Sequence, residues 1–316
     1  MRIIFMGTPE FAVPSLRILI KENENIVCVI TKPDRKKGRG MRQDVPPVKK
    51  LAMENDLRIL QPESAKDPNF IQDVKDLKPD IIIVVAYGQI LNKEFLCIPK
   101  FGCINVHASI LPKFRGSAPI QWAIMEGEPK TGVTIQNVFE KLDAGDIIVQ
   151  KETEIVWEDN FKSLYTRLAG LGAEALKEAV NLIKNKSVIP MPQDEKLATY
   201  VRKITKEDGL INWNEGALKI HNKIRALNPW PGTYTYFSRS DHFVTGLMIK
   251  ITKSEFVLGR KEGKPGEIIA ADKEKIGVLC ANGIIYIKEI KPEAKKTMTA
   301  GEFVSGYRLK SGMLLG

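Results

Sequence analysis

Long apolar runs are missing from these 316 residues. No stretch approaches the roughly 20 apolar residues that span a bilayer, so no membrane partner is expected. The opening MRIIFMGTPEF has neither the long apolar region nor the small-residue cleavage site of an export signal, and it reads as a strand. Cysteine is scarce. Cys28, Cys97, Cys103 and Cys280 form no CxxC, and each lies in or beside an apolar segment, which reads as buried reduced thiols rather than disulfide or metal chemistry. These absences make the cytoplasm the expected location. There are three histidines and no cluster with metal-ligand spacing, so no metal is expected. The G-x-G-x-x-G fingerprint of dinucleotide binding is absent as well. MGTPEF puts Pro9 where that turn needs backbone amides, which counts against an oxidoreductase. Internal repeats and low-complexity tracts are absent too.

What is present is ordinary in bulk and uneven in detail. A hydrophobic share of 43% and a charged share of 27% describe a soluble globular chain, long enough for two domains. No segment offers an excess apolar face, so a monomer is expected. The net charge of +10 is not evenly spread: residues 1–189 hold 27 Lys+Arg against 24 Asp+Glu, and residues 190–316 hold 21 against 14. Residues 31–50 carry eight basic and two acidic side chains. A basic second half and one basic loop suggest a polyanion, for which nucleic acid is the usual candidate, although a solvated basic face gives the same count.

The first part alternates strand and helix patterns. RIIFMG, NIVCVIT, a short Arg-Ile-Leu segment, DIIIVVAYG and GCINVHAS read as strands. The stretches after Pro9 and Pro47, FIQDVKDLK and the long FKSLYTRLAGLGAEALKEAVNLI read as helices. TGVTIQNVF and DIIVQKETEIV read as paired strands around the turn KLDAGD. This is the pattern of an α/β doubly wound, mostly parallel, Rossmann-like sheet, with ligands at the carboxyl ends of its strands. It occupies 1–189. A Pro-rich, charged, aperiodic segment at 190–206 reads as a linker. In 207–316 a helix, NEGALKIHNKIRAL, precedes short strands punctuated by Gly, Lys and Asn turns, and TAGEFVSG closes the chain as a helix. That predicts a small OB-like antiparallel β-barrel.

Two of the histidines, His221 in a helix and His242 in a polar turn, read as structural or surface residues. His107 differs. It ends a predicted strand with Asn105 two residues earlier, and period-two alternation puts both side chains on one face. A carboxamide and an imidazole at a strand's carboxyl end suit an oxyanion hole, and equally a buried pair bonding each other. The turn KLDAGD brings Asp143, with Gly145 giving it freedom to approach the same edge. An Asp beside a His orients the ring and favours its charged form. The motifs hold no Ser or Cys nucleophile, which suggests direct attack of a substrate amine on an activated carbonyl.

With these residues in place, NVHASILPKFRGSAPIQWAI (105–124) closely resembles the signature of the folate-dependent formyltransferases, and LDAGD resembles their catalytic Asp-x-Gly. MGTPEFA, TKPDRKKGRG, ITKEDGLINW (204–213) and IRALNPWPGTY (224–234) resemble, in order, the branch of that family that acts on initiator methionyl-tRNA. Ile110 stands for the usual Leu and Ala108 for a common Gly, and neither change touches a polar catalytic group.

The resemblance implies an enzyme that moves the formyl group of 10-formyltetrahydrofolate onto the methionine amine of initiator methionyl-tRNA. Asn105 and His107 would hold the formyl oxygen as it becomes an oxyanion, and Asp143 would support His107 and help accept the amine proton. Ser109, Ile110, Leu111 and Pro112 would border the folate. Tyr87, Gly88, Gln89, Ile90 and Leu91 would contribute to the pterin pocket. Arg35, Lys36, Lys37, Arg39 and Arg42 would enter the acceptor stem, with Arg39 matching the important arginine, and the basic barrel would track phosphates. Trp213, Trp230, Tyr234, Tyr236 and Phe237 read as packing before they read as a base-stacking platform. Two alternatives stay open: a formyltransferase for a nucleotide-linked amino sugar or other small amine, and a non-catalytic RNA-binding protein on an α/β scaffold. The basic loop weighs against the first, and the presence of Asn105, His107 and Asp143 against the second.

Overall fold

Ile3–Gly7 (β1) is apolar on both faces, so it is stable only where both are covered, and it lies buried inside the first sheet. The computed structural model describes residues 1–37, 42–238, 246–259 and 262–316, with backbone alone at 36, 37, 42 and 43. It divides into two units: Met1–Pro119 with Lys130–Glu154 and Tyr165–Val201, and Ile120–Pro129 with Ile155–Leu164 and Arg202–Gly316.

In the first unit β1 leads into α1 (Val13–Lys21) and β2 (Ile26–Ile30). A short ribbon follows, β3 (Arg35–Lys37) antiparallel to β4 (Arg42–Asp44), with Arg35 opposite Asp44. The basic stretch, expected as a loop, is therefore paired at its base, where opposite charges face across the strands. Next come α2 (Pro47–Met53), β5 (Ile59–Leu60), α3 (Pro68–Asp76), β6 (Ile81–Val85), α4 (Lys93–Leu96), β7 (Cys103–His107) and β8 (Arg115–Gly116). α3 starts where its sequence says it should. Asp67 accepts a bond from the Asn69 amide at 2.8 Å, and Pro68 takes the first helical position. β9 (Lys130–Asn137), β10 (Ile147–Glu154), most of α6 (Phe161–Lys184) and β11 (Tyr200–Val201) complete this unit, while α5 (Pro119–Met125) from Ile120 on and the first turn of α6 belong to the second.

The sheet order is β10-β9-β7-β6-β1-β2-β5. β5, β2, β1, β6 and β7 are parallel, while β9 and β10 form an antiparallel edge. The chain winds outward from β1 to β5 and then returns to β6 on the other flank of β1. That reversal is the switch point at which doubly wound sheets bind ligands, beyond the carboxyl ends of the strands. One face of the sheet packs Ile4, Met6, Ile30 and Ile82 against Phe70, Val74 and Phe95 from α3 and α4.

The segment expected as a linker does not leave the first unit until Val201. The Met191 and Ile147 backbones exchange bonds at 2.8 and 2.9 Å, and β11 pairs in parallel with β8. Cys28, Cys103 and Cys280 are buried, and burial pushes their thiols up to about 11, 12 and 12 respectively. Cys97 corrects the expectation of four buried thiols. It caps the one-turn helix α4 and stands exposed, because so short a helix has no second turn to cover it.

The second unit contains α7 (Ala217–Leu227), β12 (Thr233–Phe237), β13 (Leu247–Leu258), β14 (Ile268–Ala271), β15 (Ile276–Cys280), β16 (Gly283–Pro292), β17 (Met298–Thr299) and α8 (Ala300–Tyr307). The strands are antiparallel in the order β12-β13-β16-β15-β14, with β17 on β16. The C-terminal segment joins the two outer strands. Leu315 bonds Gly266 at 2.9 Å on the β14 side, and Gly316 bonds Tyr236 at 3.1 Å on β12. The segment thereby covers part of what would otherwise be unpaired strand edge among the described residues. α7 buries Ile220 and Ile224 in the barrel core with Trp213, Ile249, Ile285 and Phe237. α8 begins with a capping box between Thr299 and Glu302 and inserts Phe303. Trp213 and Phe237 thus pack the core, while Trp230 and Tyr236 are exposed. His221 is structural: it meets the Ser254 hydroxyl at 3.0 Å, and burial, aided by Arg225, pulls it down to about 4. His242 lies outside the described residues.

Candidate active site

β7 carries Asn105 and His107 to the carboxyl end of the parallel sheet, two residues apart and so on one face. Its antiparallel neighbour β9 sets Gln136 opposite Asn105 and Thr134 opposite His107. Directly opposed residues share a face, so four polar side chains gather there. His107 is only 6% exposed. Its Nε2 lies 3.0 Å from the Phe114 carbonyl oxygen, which can only accept, so Nε2 carries a proton there. Nδ1 faces the Asp143 carboxylate at 3.6 Å. The ring is therefore anchored through Nε2, which leaves Nδ1 on the side of the carboxylate.

Asp143 reaches this face from the turn between β9 and β10, with φ of 48°, a left-handed conformation that Asp tolerates better than most residues. One carboxylate oxygen accepts from the Gly116 amide at 2.8 Å, and the other from Gln136 Nε2 at 3.0 Å. Asn105 Nδ2 stands 3.5 Å from that second oxygen. The distances from Asn105 and His107 are too long for firm hydrogen bonds. The Asn105 carboxamide and the His107 ring thus face the carboxylate without a firm bond to it. The structure brings together the three residues that the sequence singles out as catalytic: Asn105, His107 and Asp143.

The remaining candidates separate. Ser109 is buried, and its hydroxyl is committed to the Lys113 carbonyl at 2.6 Å. Its own carbonyl and the Leu111 amide both bond Thr134 Oγ1, which pins the stretch beside β9. Leu111 is buried, whereas Ile110 and Pro112 are partly open. Tyr87 and Leu91 belong to the core. Burial raises the Tyr87 phenol to about 12. Gln89 is engaged with the Ala65 amide at 2.7 Å and the Glu63 carbonyl at 3.2 Å. Gly88 and Ile90 are exposed beyond β6. Arg35 is exposed; Arg39 lies outside the described residues, as do the side chains of Lys36, Lys37 and Arg42.

Several residues that hold this site are not among the expected site residues, although Arg115 lies within the 105–124 stretch that carries the resemblance. Gln136 matters only because of the β7–β9 register. Thr199, from the segment expected as a linker, accepts the Phe114 amide at 2.8 Å and so aims the carbonyl that anchors His107. Arg115, fully buried, bonds Gln193, Glu195 and Tyr200. Glu195 is held down to about 2 by Arg115 first and Lys141 second, well below the ordinary 4.5 of a glutamate. A depressed carboxyl stabilises the fold above its unfolded value, and that contribution is lost as pH falls through the folded one. Glu195→Gln should therefore melt lower than the parent at neutral pH, and thermal melts of the two should converge between about 4.5 and about 2. A constant gap down to the acid end would contradict the pairing.

Among the described residues, no group of three or more His, Cys, Asp and Glu side chains is arranged to hold a metal ion. No helix among them is long and apolar enough to cross a membrane. The doubly wound sheet presents a carboxamide, an imidazole and a carboxylate together beyond its strands, where such folds bind their ligands. The chain belongs to the formyl transferase family: residues 1–180 match its formyl transferase domain, and residues 203–308 its C-terminal domain.

Full-length relatives are similar throughout. The methionyl-tRNA formyltransferase of Geotalea daltonii is 43% identical over 316 residues, covering 100% of this chain and 98% of that protein. That of Caldanaerobacter subterraneus subsp. tengcongensis is 44% identical, with 100% of both chains covered. That of Thermodesulfovibrio yellowstonii is 48% identical over 311 residues, covering 98% and 97%. Solved structures share the fold at lower identity. The sugar 3N-formyl transferase WlaRD, solved in the presence of dTDP and 5-N-formyl-THF, has a TM-score of 0.67 at 21% identity, covering 94% of this chain and 99% of that one. HypX from Aquifex aeolicus, in complex with tetrahydrofolic acid, has a TM-score of 0.61 at 19% identity over 97% of this chain, which spans about half (47%) of that protein.

Proposed function

We propose that this chain transfers the formyl group of 10-formyltetrahydrofolate to the amine of methionine on initiator methionyl-tRNA, giving formylmethionyl-tRNA for translation initiation. The observation that carries the chemistry is the convergence of Asp143 on Asn105 and His107. The acceptor rests on full-length relatives that bear the name methionyl-tRNA formyltransferase.

In the reaction the acceptor amine attacks the formyl carbon, a new C–N bond forms, and the bond to N10 of the folate breaks. The amine gives up a proton, and N10 gains one. Asn105 through its amide N–H, and His107 when its Nδ1 carries a proton, donate to the formyl oxygen as charge builds on it. Asp143, already accepting from Gly116 and Gln136, faces the imidazole as a counter-charge and, directly or through water, takes the proton of the attacking amine.

The folate is a co-substrate, and the residues at the switch point suit it. Ala86 and Gly88 offer exposed backbone with φ of 48° and 76°, and Ile90 supplies an exposed apolar side chain. Ile110 and Pro112 border the other flank. Tyr87 and Leu91 support this stretch from the core rather than line it.

The basic residues from Arg35 to Arg42 suit an acceptor stem. Arg39→Ala should lower kcat/KM for charged initiator tRNA by roughly 10- to 100-fold, the worth of one hydrogen bond to a charged group. The KM for the folate should be unchanged, and the tRNA KM should rise steeply with salt in the parent. Equal loss for both substrates would count against the assignment.

The direct test mixes purified protein with 10-formyltetrahydrofolate and methionine-charged initiator or elongator tRNA and follows formylation of the amine. Rapid transfer to the initiator supports the reading. Folate binding without transfer to either tRNA would overturn it and direct attention to amino-sugar nucleotides.

A further inference from the structure

We propose that Gln193 is a positioning residue for the transfer reaction, acting through Gln136 and the Asp143 turn, with Arg115 fixing its orientation. This rests on the formyl-transfer reading above. Gln193 lies between the two family-matched regions, 1–180 and 203–308, in a stretch whose sequence suggests only a connection.

The argument is one of donors and acceptors. A guanidinium only donates. Arg115 Nε and Nη2 meet Gln193 Oε1 at 3.1 and 2.9 Å, so the oxygen of that amide must face the arginine. The amide nitrogen then points the other way, at three acceptors: the Gly145 carbonyl at 2.7 Å, the Asp143 carbonyl at 3.0 Å and Gln136 Oε1 at 3.0 Å. Two protons serve three oxygens, so one of these bonds is shared. Because Gln136 receives at its oxygen, its own nitrogen is turned toward Asp143 Oδ1, at 3.0 Å. Each orientation is thus dictated by the one before it, from a buried cation that cannot be inverted to the catalytic carboxylate. The same side chain ties the carbonyls on both sides of Ala144 and so holds Asp143 in its left-handed conformation.

The origin of this chain is itself anchored. Arg115 is fully buried, and its Nη atoms bond Glu195 at 3.0 and 3.2 Å and the Tyr200 hydroxyl at 3.0 Å. Lys141, two residues before Asp143, reaches the same glutamate at 2.7 Å. The 193–200 segment is therefore clamped to the catalytic turn from two directions. Gln193 touches neither reacting group, and its effect on the reaction passes through the aim of Asp143.

Gln193→Glu is the informative variant. It keeps size and adds attraction to Arg115, with thermal melts to check that the fold is retained, but it replaces the donor with a second acceptor. Facing the Asp143 and Gly145 carbonyls and Gln136 Oε1, the new carboxylate turns the Gln136 amide around and presents an oxygen to Asp143. The ionisable groups near Asp143 include His107 on β7, Arg115 on β8, Lys141 and Glu195, and the variant adds one negative charge. Like charge raises the protonation range of a carboxyl.

The expected result is a kcat lower by roughly 10- to 100-fold, part of what a positioned acid–base group supplies, with KM for folate and tRNA within about threefold. The acidic limb of the kcat–pH profile should move upward. Gln193→Ala, which leaves Gln136 free to turn, should lower kcat similarly without moving that limb upward. A Gln193→Glu enzyme whose kcat, or whose acidic limb, stays at the parent's value overturns the proposal. Failure of the parent to formylate any charged tRNA would instead overturn the functional reading, so the two failures are distinguishable.

Discussion

His107→Ala should lower kcat for formyl transfer by on the order of 100- to 1000-fold, the usual loss when one oxyanion donor is removed, while the KM for the folate changes little. The imidazole is fixed by the Phe114 carbonyl at 3.0 Å and faces Asp143 at 3.6 Å, so the ring is held in place before the reaction begins. A donor of that kind is felt mainly in the transition state, where the formyl oxygen carries charge, and its loss appears in kcat rather than KM. Asp143→Asn should cost a comparable amount, because the amide can neither favour the cationic ring nor take the amine proton. The two losses should not add. Once His107 is gone, most of what the Asp143 charge supports is gone too, so the double variant should fall little below the worse single one. Each variant removes buried groups, so thermal melts must show that the protein remains folded at assay temperature. Full multiplication of the two losses would mean that the residues act independently, contrary to their geometry.

The fold was legible where burial imposes a period. Ile81–Val85 could be read as a doubly covered strand because every residue in it is apolar, and the stretch NEGALKIHNKIRAL could be read as the helix α7. Asn105 and His107 could be paired from alternation alone, since a strand puts them on one face. Asp143 was reachable because Gly145 marks a tight turn between two strand patterns. The support of the site was not legible, for a different reason in each case. Gln136 depends on register between strands far apart in sequence, which no local pattern encodes. Gln193 and Thr199 lie in an aperiodic stretch, where hydrogen bonding replaces apolar packing as the organising force and leaves no pattern. Tyr87 and Leu91 border the expected pterin stretch in sequence but pack inward, because composition cannot separate the wall of a pocket from the core behind it. Residues 35–37 and 42–44 looked like a mobile charged loop, since their pairing is made by backbone groups that composition does not show.

Gly145→Ala should lower kcat about 100-fold, the scale expected when a catalytic group is displaced by about 1 Å. The turn from β9 to β10 is closed by the Asn137 amide on the Asp146 carbonyl at 2.9 Å, which brings the Gly145 α-carbon against the Asn137 carbonyl oxygen. A methyl group on that carbon would overlap the oxygen, and backbone rather than a flexible side chain must yield. The Gly145 carbonyl is also held by Gln193 at 2.7 Å, so the strain cannot be relieved locally and passes to Asp143 two residues earlier. Overpacking of this kind costs about 1–3 kcal/mol, and thermal denaturation should show the loss. Gly170→Ala is the control. A methyl group there meets nothing within 4 Å on the exposed face of α6, so the change should stabilise the protein by about 0.5–1 kcal/mol and leave kcat alone. Adding Asp143→Asn to Gly145→Ala should cost little more than Gly145→Ala alone, because the carboxylate is already out of place. A Gly145→Ala enzyme that melts lower yet keeps its full kcat would show that the turn yields away from Asp143, and that the carboxylate is held by Gly116 and Gln136 without help from its own backbone.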